Sequence, residues 1–232
     1  MGIGVRAMRT RIFAAAMAAS LCFAAYPAVA AVNLINNGSF ELGSFDNQPF
    51  DDLTAGSTAI TAWTIGGDSV DWIGSYWQPA DGSRSLDLSG LGLGSVSQSF
   101  SAVIGRQYTV SFMLAGNPDG GPDPKTIEVS VNGVNQFFDF PLNGATKQNM
   151  NWTPESFTFI ANTNIETLTF ASTTCASSGS NPCAFGPALD AVSVTSAVPE
   201  LSTWCMMLIG FAGVGFVAFR RSQRCAADIA SA

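Results

Sequence analysis

Between about residues 31 and 196 the sequence predicts an all-β, antiparallel sandwich or barrel, and three observations predict it. Apolar residues recur with a period of two. In "QYTVSFMLAG", Tyr108, Val110, Phe112 and Leu114 alternate with Thr109, Ser111 and Met113; in "TIEVSVNG", Ile127, Val129 and Val131 do the same. "ESFTFIA" and "ETLTFAS" repeat the pattern with Phe157, Phe159, Leu168 and Phe170. Turn clusters ("NPDGGPDP", "VNGVN", "LNGAT", "ANTN") separate these runs, as hairpin connections require. No helical period is present before residue 200. "GLGLGS" reads as a turn, because neither the spacing nor a following helix makes it a phosphate loop.

The segments flanking this region are of a different kind. Residues 1–30 carry Arg6, Arg9 and Arg11, then an apolar run from Ile12 to Tyr26, then Ala28-Val29-Ala30. That order is a secretory signal peptide, with the mature chain starting at Ala31. At the other end, the 19 residues from Leu201 to Phe219 are uncharged. As a helix they would measure roughly 29 Å, close to a bilayer's hydrocarbon thickness of about 30 Å. Arg220, Arg221 and Arg224 follow and predict a cytoplasmic end, so the sandwich is exported. The sequence thus divides into a signal peptide (1–30), a β-domain (31–196), an anchor segment (197–224) and a short cytoplasmic tail (225–232).

Composition narrows the chemistry. From Ala31 to Ala197 there are 15 acidic residues and four basic ones (Arg84, Arg106, Lys125 and Lys147), a net charge of −11. Such a surface repels nucleic acid, which excludes it as a partner. The chain has no histidine, which removes Ser-His-Asp and Cys-His catalysis and histidine-held metals. Of five cysteines, only Cys175 and Cys183 fall in the exported domain, around the turn-rich "ASSGSNP", and an oxidising compartment would join them.

Two groups of residues are candidates for function. Asp190 in "ALDAVSV" shares the parity of Val192 and Val194, the core-facing side. A carboxylate there needs a partner. A bound cation, calcium by its liking for oxygen ligands, is one solution; a solvated position at the strand rim is the other. The aromatic residues Trp63, Trp72, Tyr76, Trp77 and Trp152 could offer ring faces to sugars. Trp63 and Trp72 read as core, whereas Tyr76 and Trp77 in "GSYWQPADG" read as surface.

The blocks "NLINNGSFE", "AWTIGGDSVDWIGSYWQPADGSRSLDLSG", "QSFSAVIGRQYTVSFMLAGNPDGGP" and "GPALDAVSV" occur in order over residues 33 to 195. They resemble the bacterial choice-of-anchor C domains, related to a plant cell-wall domain family of unknown function. That resemblance implies a galactose-binding-like jelly roll, akin to carbohydrate-binding modules. It also implies a structural calcium (Ca2+) where the first and last strands meet, with Glu41 and Asp190 at the matching positions. The tail resembles the PEP-CTERM sorting signal through Pro199, Glu200, Ser202, Thr203, Trp204, Arg220 and Arg221. Leu201 replaces the second proline, a departure that bears on how completely the tail is processed. The resemblance implies an inner-membrane anchor with the domain outside the cytoplasm. An exosortase-like membrane protease would then release it to the envelope or the extracellular polysaccharide. Three functions follow as expectations: a carbohydrate-binding module with polysaccharide as partner, an adhesive matrix protein binding other proteins, or a glycan-cleaving enzyme.

Overall fold

The computed structural model describes residues 32–46, 48–175, 183–197 and 207–220. Its strands are β1 (Phe50–Thr54), β2 (Thr64–Gly67), β3 (Ser69–Ile73), β4 (Ser85–Asp87), β5 (Gly94–Ser101), β6 (Gln107–Gly116), β7 (Lys125–Val131), β8 (Val134–Phe140), β9 (Thr153–Ile160), β10 (Ile165–Ser172) and β11 (Pro187–Ser196). They form two antiparallel sheets, one of six strands in the order β1-β3-β4-β11-β6-β9 and one of five in the order β2-β5-β10-β7-β8. The all-β sandwich expected from the alternation is therefore the fold.

The alternation also identifies which residues fill it. Tyr108, Val110, Phe112 and Leu114 of β6 are buried, as are Ile127, Val129 and Val131 of β7 and Leu168 and Phe170 of β10. Phe112 and Phe170 belong to different sheets and meet edge to face at 5.1 Å, so the two inner faces interlock through aromatic contact. Trp63 and Trp72 are core, as expected. Each indole N–H has a backbone acceptor, Asn37 for Trp63 and Phe40 for Trp72.

The chain ends are tied together. Asn33 bridges Thr195, and the Leu34 N–H donates to the Val194 carbonyl at 2.8 Å. The Val192 N–H donates to the Gly38 carbonyl at 2.9 Å. A side chain at Gly38 would put its Cβ 2.0 Å from the Val192 oxygen, so this approach demands glycine.

One parity prediction fails here. β11 carries a bulge: Asp190 pairs with Met113 but Ser193 pairs with Ser111, and Ala191 has φ of 49°. The extra residue reverses which parity faces inward. Leu189 lies opposite Leu114 on the core side, and Asp190 points to the other face, unlike Val192 and Val194. Asp190 is nonetheless fully buried, by the β3–β4 loop rather than by the core.

Cys175 and Cys183 are disulfide-bonded, as the sequence predicts. Residues 207–220 form a helix whose side chains are exposed and uncharged up to Arg220. Among the described residues no helix is long and apolar enough to cross a membrane. The signal peptide and the sorting residues Pro199, Glu200, Ser202, Thr203, Trp204 and Arg221 lie outside the described residues.

Candidate functional site

Strand β4 is only three residues long, and the β3–β4 loop, residues 74–84, returns beside it. Two carboxylates from distant parts of the chain fix the second half of this loop. Asp190 Oδ2 accepts the N–H groups of Ala80 and Asp81, both at 2.9 Å. Glu41 Oε1 accepts those of Ser83 at 2.7 Å and Arg84 at 2.8 Å, and its Oε2 accepts the Ser83 hydroxyl at 2.7 Å. Four of the five consecutive N–H groups from Ala80 to Arg84 are thus held by two acidic side chains. Ser39 adds a 2.7 Å bond to Asp81.

The sequence juxtaposed Glu41 and Asp190 correctly, but N–H groups occupy the place expected for calcium. The remaining Asp190 oxygen, Oδ1, accepts the Ala191 N–H at 2.6 Å. The positive ends of these N–H and O–H donors occupy the side of the carboxylates on which a cation would sit. Among the described residues no group of three or more Asp, Glu, Cys or His is placed to hold a metal ion. The residues present therefore do not fit calcium at this position. Burial pushes the Asp190 carboxyl up to about 7, against the pull of its three N–H donors.

Beside the clamped loop lies a groove of about 460 Å³, walled by Phe45, Gln48, Ser75, Trp77, Pro79 and Arg84 among others. Arg84 is its charged group. The guanidinium stacks on the Phe45 ring, 3.6 Å from the centroid, and sits 5.1 Å from that of Trp72. Neither an ion pair nor a side-chain hydrogen bond to it occurs among the described residues. The other basic side chains on this half of the domain are engaged: Lys147 pairs with Asp119 at 2.8 Å, and Lys125, fully buried, donates to the carbonyls of Gly120 and Phe185.

Trp77 and Tyr76, expected to share a surface role, part company. Trp77 is 4% exposed and its indole N–H donates to Ser85 Oγ at 2.8 Å. Its ring packs into the core and only borders the groove, so it is no open platform. Alternation could not reveal this, because the residue lies in a loop that folds back on the sheet. Tyr76 is partly exposed; Phe50 packs edge-on to its ring at 5.1 Å and the Lys147 ammonium lies over it at 3.8 Å. Its hydroxyl donates to Asp119 Oδ2. Burial raises the Asp119 carboxyl, but Lys147 and Tyr76 outweigh this and hold it low. Tyr76 joins three loops, and Phe50, Trp77 and Lys147 all pack against its ring. Phe45, Gln48 and Arg84 were not singled out from sequence; Arg84, as one of four basic residues, was the available signal.

A separate acidic row crosses β1, β3 and β4. Asp52 pairs with Asp71, and Asp71 with Asp87, in direct register. Burial, then the charges of Asp87 and Asp52, push the Asp71 carboxyl up to about 8. Burial pushes Asp87 up to about 6, against hydrogen bonds from Asn117, Ser89 and Gly186. None of the three lines the groove.

The chain is 34% identical over 176 residues to halomucin of Haloquadratum walsbyi, an alignment covering 74% of this chain and 2% of halomucin; the chain thus spans about 2% of that relative's length. Among solved structures it is similar to TmCBM61 in complex with β-1,4-galactotriose, at 16% identity and a TM-score of 0.47, covering 72% of this chain and 99% of that one. A family 16 carbohydrate-binding module aligns at 14% identity and a TM-score of 0.44, covering 70% and 99%. The family model described as protein of unknown function DUF642 matches residues 33–195, the whole sandwich from the Asn33 bridge to the end of β11, and the chain belongs to that family.

Proposed function

We propose that the sandwich is an exported, non-catalytic module that binds polysaccharide in the groove beside the β3–β4 loop. The observation that carries this reading is the groove itself: a loop clamped by two carboxylates, apolar and aromatic walls, and one guanidinium with no acceptor among the described residues. Sugars need an apolar surface for their C–H faces and a few fixed polar groups for their hydroxyls, and the groove supplies both. Arg84, pre-oriented by stacking on Phe45, is the group that would hydrogen-bond ligand oxygens. Carboxylates with raised pKa values lie outside the groove, which favours binding over glycan cleavage.

Export rests on the signal-peptide pattern of residues 1–30. The uncharged run from Leu201 to Phe219, part of which is the described helix, would hold the domain at the inner membrane until an exosortase-like protease cuts near Pro199-Glu200. Leu201 would make that cut incomplete, leaving anchored and released forms.

The test is a glycan array probed with the purified chain, followed by titration of any hit against Arg84→Ala. Binding lost on that substitution, with an unchanged melting curve, supports the groove. Binding unaffected by it moves the site elsewhere. An array without hits, with protein partners captured instead, favours the adhesive reading.

A further inference from the structure

We infer that the pole of the sandwich from which both chain ends leave is a membrane-docking surface, whose occupant is the lipid interface of the bilayer that receives the C-terminal helix. The inference rests on the anchored reading above. It starts from two turns. The β5–β6 turn, residues 102–106, and the β9–β10 turn, residues 161–164, are zipped together by backbone bonds. Ala102 N–H donates to Asn164 at 2.9 Å, Gly105 N–H to Ala161 at 2.8 Å and Ala161 N–H to Arg106 at 3.0 Å. Val103 and Ile104 are thereby set beside Ile160 and Ile165, and each of the four is 55 to 67% exposed. Four large aliphatic side chains, in or flanking two adjoining turns that each pass from one sheet to the other, form an apolar patch where turns usually carry polar residues.

The chain ends identify what faces this patch. Val32, itself exposed, precedes the Asn33–Thr195 bridge, and the Ala197 N–H donates to Gln107, the first residue after the 102–106 turn. From Ala197 only nine residues lead to the helix at 207. Fully extended they reach about 30 Å. A helix seated in a bilayer would therefore keep this pole, and not the opposite one, next to the membrane.

Charge agrees. The segments that build the pole, residues 32–36, 99–108, 131–135, 160–165 and 194–197, contain no aspartate or glutamate, although the domain has 15. Glu166, next in sequence, is buried. The one charged residue in those segments is Arg106, which is exposed. On a domain of −11 this is the face that anionic phospholipid repels least. Four aliphatic side chains and one arginine bind weakly alone, but the helix makes the contact intramolecular and a weak interfacial affinity suffices.

The test uses the full chain with Cys22, Cys205 and Cys225 replaced by serine. It is reconstituted into vesicles of phosphatidylethanolamine and phosphatidylglycerol. A polarity-sensitive fluorophore is placed at Ile104→Cys or, as control, at Gln148→Cys in the β8–β9 loop. The expected result is co-flotation with vesicles, a blue shift at 104, loss of its emission to nitroxide-labelled lipid, and no response at 148. Co-flotation with an aqueous signal at 104 overturns the docking inference and leaves the anchor intact. Failure to float overturns both. A blue shift at 104 without quenching by nitroxide lipid means that a second copy covers the patch, and overturns it too.

Discussion

Replacing Asp71 by asparagine should stabilise the domain, by an amount that grows as pH rises from about 4 towards 8. Asp71 lies between Asp52 and Asp87 in direct cross-strand register. A methyl group on Gly90 would lie 2.9 Å from Asp52 Oδ1 and 3.0 Å from Asp71 Oδ1, so both oxygens converge on one small space. Burial and the two neighbours raise the Asp71 carboxyl to about 8, against an unfolded value of about 3.9. The folded state therefore binds the proton more tightly than the unfolded state between about pH 4 and pH 8. Its contribution to stability is complete below that window and is lost as pH rises through it. Asp71 is partly exposed and water screens it, so each like-charged cross-strand neighbour costs up to about 1 kcal/mol, hence ~1–2 kcal/mol for two. For a domain of this size that is a rise in Tm of roughly 2–8 °C. The assay is thermal unfolding by circular dichroism at pH 5, 7 and 9. The margin by which the variant melts above the parent should be smallest at pH 5, larger at pH 7 and largest at pH 9. Parallel curves at all three values would refute the repulsive row.

Asp190→Ala should cost about 2 to 3 kcal/mol in denaturant unfolding, because the part-buried N–H groups of Ala80 and Asp81 lose their acceptor; Asp190→Asn, which keeps one accepting oxygen, should cost less. Either change should make the 79–84 loop a site of limited proteolysis, and an undiminished resistance there would mean that Asp190 does not fix the loop. Chelation should leave the melting curve of the parent in place, since Glu41 and Asp190 already hold N–H groups; a fall in Tm reversed by added calcium would restore the ion to this loop. Cys183→Ser should cost about 2 to 3 kcal/mol by releasing the loop between Cys175 and Cys183, measured as the difference between oxidised parent and variant.

The sandwich was legible because its main strands are half-buried on a regular pleat. β6, β7 and β10 bury every second residue, so the hydrophobic pattern and the backbone geometry state the same thing. β4 was not legible as a strand: all three of its residues are buried, so no alternation marks it. The face of Asp190 was misread because a single extra residue in β11 reverses parity, and Ala191, which takes the positive φ, is not a residue that announces a bulge. The convergence of Glu41 and Asp190 was legible through ordered sequence blocks, but the nature of their partner was not. A carboxylate that caps a loop and one that binds an ion differ only in what the intervening backbone does. The groove was half legible: "GSYWQPADG" does line it, yet Phe45 and Gln48 come from a separate loop that only the fold brings alongside.

The placement of Asp190 on β11 has a mechanical consequence. A ligand held by the β3–β4 loop transmits any pull through Asp190 into β11, and β11 is the last strand before the C-terminal helix in sequence. Load between a polymer outside and an anchor in the membrane would then run along the strand. In antiparallel pairs the interstrand hydrogen bonds stand perpendicular to the strands. The bonds joining β11 to β6 would be sheared together instead of being unzipped one after another. The disulfide, the β7–β8 hairpin and most of the five-stranded sheet would lie off this line of force, so the domain could bear tension while the rest of the sandwich carried almost none.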